Sequence, residues 1–163
     1  MKRSFNITGA CNPQEHYMVN LDSRLSEIKK MVDAGKYFVI NRGRQYGKTT
    51  TLKALKKYLQ DDYTVISFDF QKDMSELDFK DENNFSISFA YLFVAALKKV
   101  KTINMEIAQV LLTQIDFWKE RYGLVRLFQG ISEICSSVKQ KIVLVIDEVD
   151  SASNNQVFLD FLA

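Results

Sequence analysis

Cysteine, proline and histidine are scarce here: 163 residues include two cysteines, one proline and one histidine. Cys11 and Cys135 lie far apart and form no C-x-x-C pair, so neither a disulfide framework nor a zinc site is suggested. Both read as buried small hydrophobes. Pro13 and His16 fall within residues 1–20, where no period shows, and that stretch reads as an ordered but irregular lead-in. An excess of one charge is missing too. The net charge is +2 with 26% charged residues, which rules out a nucleic-acid-coating tail but neither demands nor excludes a local basic stripe. Long apolar runs are also lacking. The longest mostly apolar stretch, Ile87 to Leu97, is too short to span a bilayer, and the N-terminus has no apolar core of a signal peptide. No membrane partner is expected, and a cytoplasmic location is the default. What is present is apolar surface: 47% hydrophobic and 12% aromatic residues suffice for the core of one globular domain.

The apolar pattern alternates between two periods. Leu21, Leu25, Ile28 and Met31 recur at helical spacing, with Asp22 or Ser23 to cap the start and Gly35 placed for a left-handed C-terminal cap. Tyr37 to Ile40 is a short run of β-formers, the mark of a strand buried on both faces. It runs into a loop from Asn41 to Gly47, after which Leu52, Leu55 and Leu59 share one helical face. A second strand, Tyr63 to Phe70, and a charged loop, Gln71 to Asn84, follow. Phe85, Phe89, Leu92, Phe93, Ala96 and Val100 trace an apolar helix facing the sheet. Ile107 to Trp118, closed by Gly123, and Leu124 to Val138 predict two more. Ile142 to Ile146 is again a buried strand, and a last helix starts near Asn154. Strands alternating with helices predict an α/β fold, a parallel sheet with helices on both faces.

The segment Arg42-Gly43-Arg44-Gln45-Tyr46-Gly47-Lys48-Thr49 lies between the first strand and a helix and ends in the Gly-Lys-Thr of a Walker A motif. Phosphate oxygens need converging backbone N–H groups, the positive end of a helix dipole, and a cation that follows the terminal phosphate. Gly47 lets the backbone approach closely, Lys48 can bridge β- and γ-phosphates, and the Thr49 hydroxyl can ligate Mg²⁺, with Thr50 next in the same turn. The general pattern puts its first glycine where this chain has Arg42. Arg42 and Arg44 either add charge near the phosphates or point away to pair elsewhere.

Ile142-Val143-Leu144-Val145-Ile146 ends in Asp147 and Glu148, the form of a Walker B motif. Parallel sheets bind ligands at the carboxyl ends of their strands, so Asp147 is the second candidate for Mg²⁺, and Glu148 can orient and polarise an attacking water. Asp69, at the end of the second strand, is either a water-positioning group or a loop cap, the cap being favoured. His16, Tyr17 and Arg24 are candidates for adenine contact, against the simpler reading that they pack.

With these residues the chain resembles the bacterial AAA-like ATPase family, related to the origin-recognition and STAND signalling ATPases. Phe5-Asn-Ile-Thr-Gly9, His16-Tyr-Met-Val-Asn20, Gly35 to Arg42, Arg44-Gln-Tyr-Gly-Lys-Thr-Thr50, Ser67-Phe-Asp-Phe-Gln71 and Val145-Ile-Asp-Glu-Val-Asp-Ser151 carry the likeness. The resemblance implies ATP and Mg²⁺ as ligands and a P-loop NTPase fold of the ASCE type, with a catalytic glutamate beside the Walker B aspartate. It also implies a sensor strand, following Walker B in sequence and lying between the P-loop and Walker B strands. The residues after Glu148 read as a polar loop and a helix, so that strand is not expected within residues 1–163. Residues 1–163 are therefore expected to be the N-terminal part of one domain, 1–35 being lead-in and first helix and 36–163 an incomplete, C-terminally truncated nucleotide-binding core. Expected partners are the remainder of a longer chain or a homo-oligomer, and nucleic acid rests on analogy alone. Without the central strand, Tyr37 to Ile40 is expected to shift against Ile142 to Ile146, borrow a neighbour's strand or pack loosely, leaving little hydrolysis. The leading expectation is an ATPase acting as a conformational switch in a larger protein, and the alternative is a nucleotide-binding interaction module without useful hydrolysis.

Overall fold

Helices outnumber strands in the computed structural model, which describes residues 20–41, 47–100, 105–149 and 155–163. The chain divides into two units, Met1–Tyr63 and Thr64–Ala163.

The first unit holds α1 (Asp22–Asp33) and α2 (Lys48–Leu59), packed on each other. Leu25 and Ile28 are the buried positions of α1, and Thr51, Leu55 and Leu59, four residues apart, those of α2. Asn20, rather than Asp22 or Ser23, caps α1: its Oδ1 accepts the Asp22 N–H at 2.7 Å. At the other end Gly35 takes φ 65°, while the Lys36 N–H reaches Met31 O at 3.0 Å and the Gly35 N–H reaches Val32 O at 2.9 Å. That paired closure is a Schellman motif, as the glycine predicts. The turn after α2 is clasped to α1. Lys29 Nζ lies 2.9 Å from Asp33 Oδ1 and 3.1 Å from Asp62 Oδ2, and the Tyr63 hydroxyl donates to Asp33 Oδ1 at 2.6 Å.

Tyr37 to Ile40 corrects the sequence reading. These residues form no strand, and Tyr37 and Val39 are 103% and 81% exposed. β-forming side chains do not make a strand without a ladder partner, and no strand occurs among the described residues of this unit.

In the second unit β1 (Thr64–Asp69) and β2 (Ile142–Asp147) pair in parallel, with Thr64 opposite Ile142 and Asp69 opposite Asp147. The expected parallel α/β arrangement is therefore present as a two-stranded sheet, and Ile142 to Asp147 pairs with β1 rather than with Tyr37 to Ile40. Between the strands run α3 (Phe70–Asp73), a 3₁₀ turn (Glu76–Phe79), α4 (Glu82–Lys98), α5 (Met105–Trp118), a second 3₁₀ turn (Lys119–Arg121) and α6 (Leu124–Ser137); α7 (Gln156–Leu162) follows β2. The expected loop from Gln71 to Asn84 is thus a series of short helical turns. Polar caps explain it. Asp69 caps α3, Asp78 accepts the Ser75 N–H at 2.6 Å, and Asp81 accepts the Asn84 N–H at 2.8 Å, which starts α4 before Phe85. Asn155, one place beyond the expected start, caps α7 through the Val157 N–H at 3.0 Å.

Phe85, Phe89, Phe93 and Leu97 of α4 are buried at four-residue spacing in a core with Ile66, Phe68, Leu111, Leu127 and Phe158. Aromatic edges meet faces there: Phe68 and Phe89 centroids lie 5.3 Å apart at 83°, and Phe70 and Phe158 5.4 Å apart at 75°. Cys135, expected to be buried, is exposed on α6, and Cys11 lies outside the described residues. Among the described residues no helix is long and apolar enough to cross a membrane.

Two outcomes follow. An added Cβ at Gly130 of α6 would lie 2.3 Å from Leu111 Cδ1, and Leu111 is fully buried at 0% exposure, so the overlap has no easy relief. Overpacking costs about 1 to 3 kcal/mol and outweighs the roughly 1 kcal/mol that alanine gains in a helix. Gly130→Ala should lose about 1 kcal/mol in urea unfolding, and a more stable variant would contradict this packing. In the first unit, the hydrogen bond to Asp33 raises the Tyr63 hydroxyl above its ordinary value of 10.0, and the bonds to Asp33 and Asp62 raise Lys29. Folded values above the unfolded ones mean a contribution that is full below the ordinary tyrosine value and lost as pH rises through the folded values. Melting should be flat up to about pH 10 and fall beyond it, and Tyr63→Phe should flatten the fall; an unchanged slope in that variant would remove Tyr63 from the clasp.

Candidate functional site

Two sets of candidate residues are described, one in each unit. In the first, Gly47 takes φ 73° and ψ 27°, a left-handed conformation suited to glycine, and α2 begins at Lys48. Gly47, the residue before this helix, has no side chain with which to cap it, and no acidic residue lies in the first turn. A helix leaves its first N–H groups without intrahelical partners, and their dipoles favour an anion. Lys48 and Thr50 are half-buried and Thr49 is exposed in that turn. Arg42, Gly43, Arg44, Gln45 and Tyr46, like His16 and Tyr17, lie outside the described residues; Arg24 is half-buried on α1.

In the second unit the register brings Asp69 and Asp147 side by side at the carboxyl ends of β1 and β2. Asp69 is held by its own helix cap: it accepts the Lys72 N–H at 3.3 Å, while its N–H donates to Asp73 Oδ2 at 2.8 Å. The loop-cap reading of Asp69 is thereby seen, and its place opposite Asp147 adds a second property. The Lys72 ammonium donates to Asp69 Oδ2. This bond, then the charge of Asp69 and the fields of Asp147 and Asp73, raise Lys72 above the usual lysine value against a small opposing effect of burial. Lys72 went unread in the sequence, although Asp-x-x-Lys across a helical turn puts the two side chains together.

Glu148 follows Asp147 at φ 54°, one of two non-glycine residues with positive φ among those described. Its N–H donates to Asp147 Oδ1 at 2.9 Å, so Asp147 and the turn after it hold each other. Among the described residues no cluster of three or more histidines, cysteines or acids could hold a metal by itself. Mg²⁺ does not need one. It keeps several waters and is bound through one or two carboxylates together with substrate phosphates, and the Asp69–Asp147 pair is a donor set of that kind. A shallow hollow of about 390 Å³ along α5, beside Val110, Gln114 and Phe117, contains none of these residues.

The model of the AAA-ATPase-like family, described as predicted AAA-ATPase, matches residues 23–160. No curated protein and no solved structure matches the chain.

The backbone at Glu148 makes a separate prediction. A left-handed conformation costs a non-glycine residue about 1 to 2 kcal/mol and is worse for a β-branched one. Glu148→Gly should be at least as stable as the parent, and Glu148→Val less stable by about 1 to 2 kcal/mol; equal melting of the two variants would mean that Glu148 is not left-handed.

Proposed function

Because the chain belongs to the AAA-ATPase-like family, we propose that it binds Mg-ATP through a P-loop of the ASCE type and uses binding and hydrolysis as a conformational switch in a larger protein. The observation that carries this reading is the start of α2: Gly47, left-handed, followed by Lys48 and Thr49 at the N-terminal end of a helix with no acidic residue in its first turn. The matched region also contains the acidic end of β2.

Each residue then has a task. Backbone N–H groups from Arg42 to Thr50 surround the phosphates, and Lys48 follows the β- and γ-phosphate oxygens as charge develops on them. Thr49 and Asp147 would hold Mg²⁺, Thr49 through its hydroxyl and Asp147 through its carboxylate. When bound, the ion would offset the charge of the phosphates. Glu148 orients the attacking water and accepts its proton. Phosphoryl transfer asks the protein for position and electrostatics rather than covalent chemistry, which suits a site made of a helix end, a lysine and carboxylates.

Titration with a fluorescent ATP analogue and measurement of phosphate release test this. Lys48→Ala should abolish nucleotide binding. Glu148→Gln should retain the nucleotide and slow turnover by about 10²-fold or more, the usual worth of a positioned base. Unchanged affinity in the first variant would remove Lys48 from the site, and equal turnover in the second would remove Glu148. Binding without turnover in the parent would favour the nucleotide-binding interaction module.

A further inference from the structure

Asp69 and Asp147 are register partners on adjacent parallel strands, where backbones run about 4.8 Å apart. Two acidic residues on neighbouring strands repel, and the Lys72 ammonium is seated on one of them. Its tether is unusual in being double. The backbone N–H of Lys72 holds Asp69 at 3.3 Å as a helix cap, independently of what the side chain does. The side chain itself is 77% exposed, whereas that of Asp69 is 21% exposed. Exposed ion pairs contribute little, so the ammonium can leave while Asp69 stays in place.

Resting on the reading of Asp147 as a Mg²⁺ ligand, we infer that Lys72 is a positioning residue: a tethered counter-cation that compensates the Asp69–Asp147 pair until a divalent cation displaces it. In the metal-free protein the lysine offsets the negative charge of the pair, whose spacing the strand register sets. On metal binding its positive charge, close enough to feel that of Asp147, opposes the arriving cation, so Lys72 sets how much divalent cation is needed to load the site.

The probe is Mn²⁺ alone, its binding to the whole chain followed by electron paramagnetic resonance without nucleotide. Lys72→Met keeps the backbone cap and removes the ammonium, and it should bind Mn²⁺ about tenfold more tightly, the scale on which one neighbouring unit charge acts on a divalent ion. Lys72→Arg retains the charge and should bind as the parent does. In an Asp147→Asn background, Lys72→Met should change nothing. If Asp147→Asn loses Mn²⁺ while Lys72→Met binds like the parent, or if Lys72→Arg tightens binding as Lys72→Met does, the role of Lys72 is overturned and Asp147 keeps its own. If Asp147→Asn binds Mn²⁺ unchanged, the Mg²⁺ assignment of Asp147 falls and the counter-cation role falls with it.

Discussion

The parallel register of β1 and β2 is the constraint on which the second unit depends. Parallel strands cannot be joined by a tight turn; they need a crossover, and here it consists of α3 to α6. The apolar sides of these helices have to be buried against something. Ile66 and Phe68, two apart on β1 and therefore on one face, meet α4 there, with Phe68 edge-on to Phe89. Shifting the pairing by one residue would turn those side chains out of the core. The same register that seats Phe68 thus sets Asp69 opposite Asp147, and packing along β1 fixes the pairing of charges at its carboxyl end.

Asp69 lies between two buried phenylalanines, Phe68 at 3% and Phe70 at 1% exposure. Phe70 is wedged against Phe79, 5.6 Å between centroids, and Phe158, 5.4 Å. The chain at Asp69 therefore has little freedom to turn, and its carboxylate is aimed by side chains that have no chemistry of their own. Asn155 adds a second brace by donating to Phe79 O at 2.8 Å, which ties the start of α7 to the turn before α4. Core and candidate site are one construction in this unit.

What could be read from the sequence was local. Helical period, Gly35 as a C-terminal cap and the Gly47-Lys48-Thr49 helix start depend on residues within a few positions, and the structure has them where the pattern puts them. Strands depend on partners far away in the chain. β1 and β2 were legible because each is an apolar run that the other can pair with, whereas Tyr37 to Ile40 is also apolar but has no strand partner among the described residues of its unit. Short polar turns escaped notice for another reason: Asp69, Ser75, Asp78 and Asp81 look like a solvated loop until their caps are counted. Tyr122 was also missed. An isolated tyrosine gives no period, yet it is fully buried, its hydroxyl has no hydrogen-bond partner, and burial pushes that hydroxyl up to about 12.

Glu148 shows how the end of β2 can be both strained and held. Continuing the strand would put Asp147 and Glu148 on opposite faces of the sheet. The left-handed turn at Glu148 breaks that alternation, at a cost of about 1 to 2 kcal/mol. Its N–H donates to Asp147 Oδ1 at 2.9 Å, and a hydrogen bond to a charged group is worth about 1.5 to 3 kcal/mol. The two magnitudes are close, so the turn can persist without help from the core. Asp147 helps to hold the turn by accepting that bond, which couples the backbone conformation of the proposed water-positioning residue to the side chain of the proposed metal ligand.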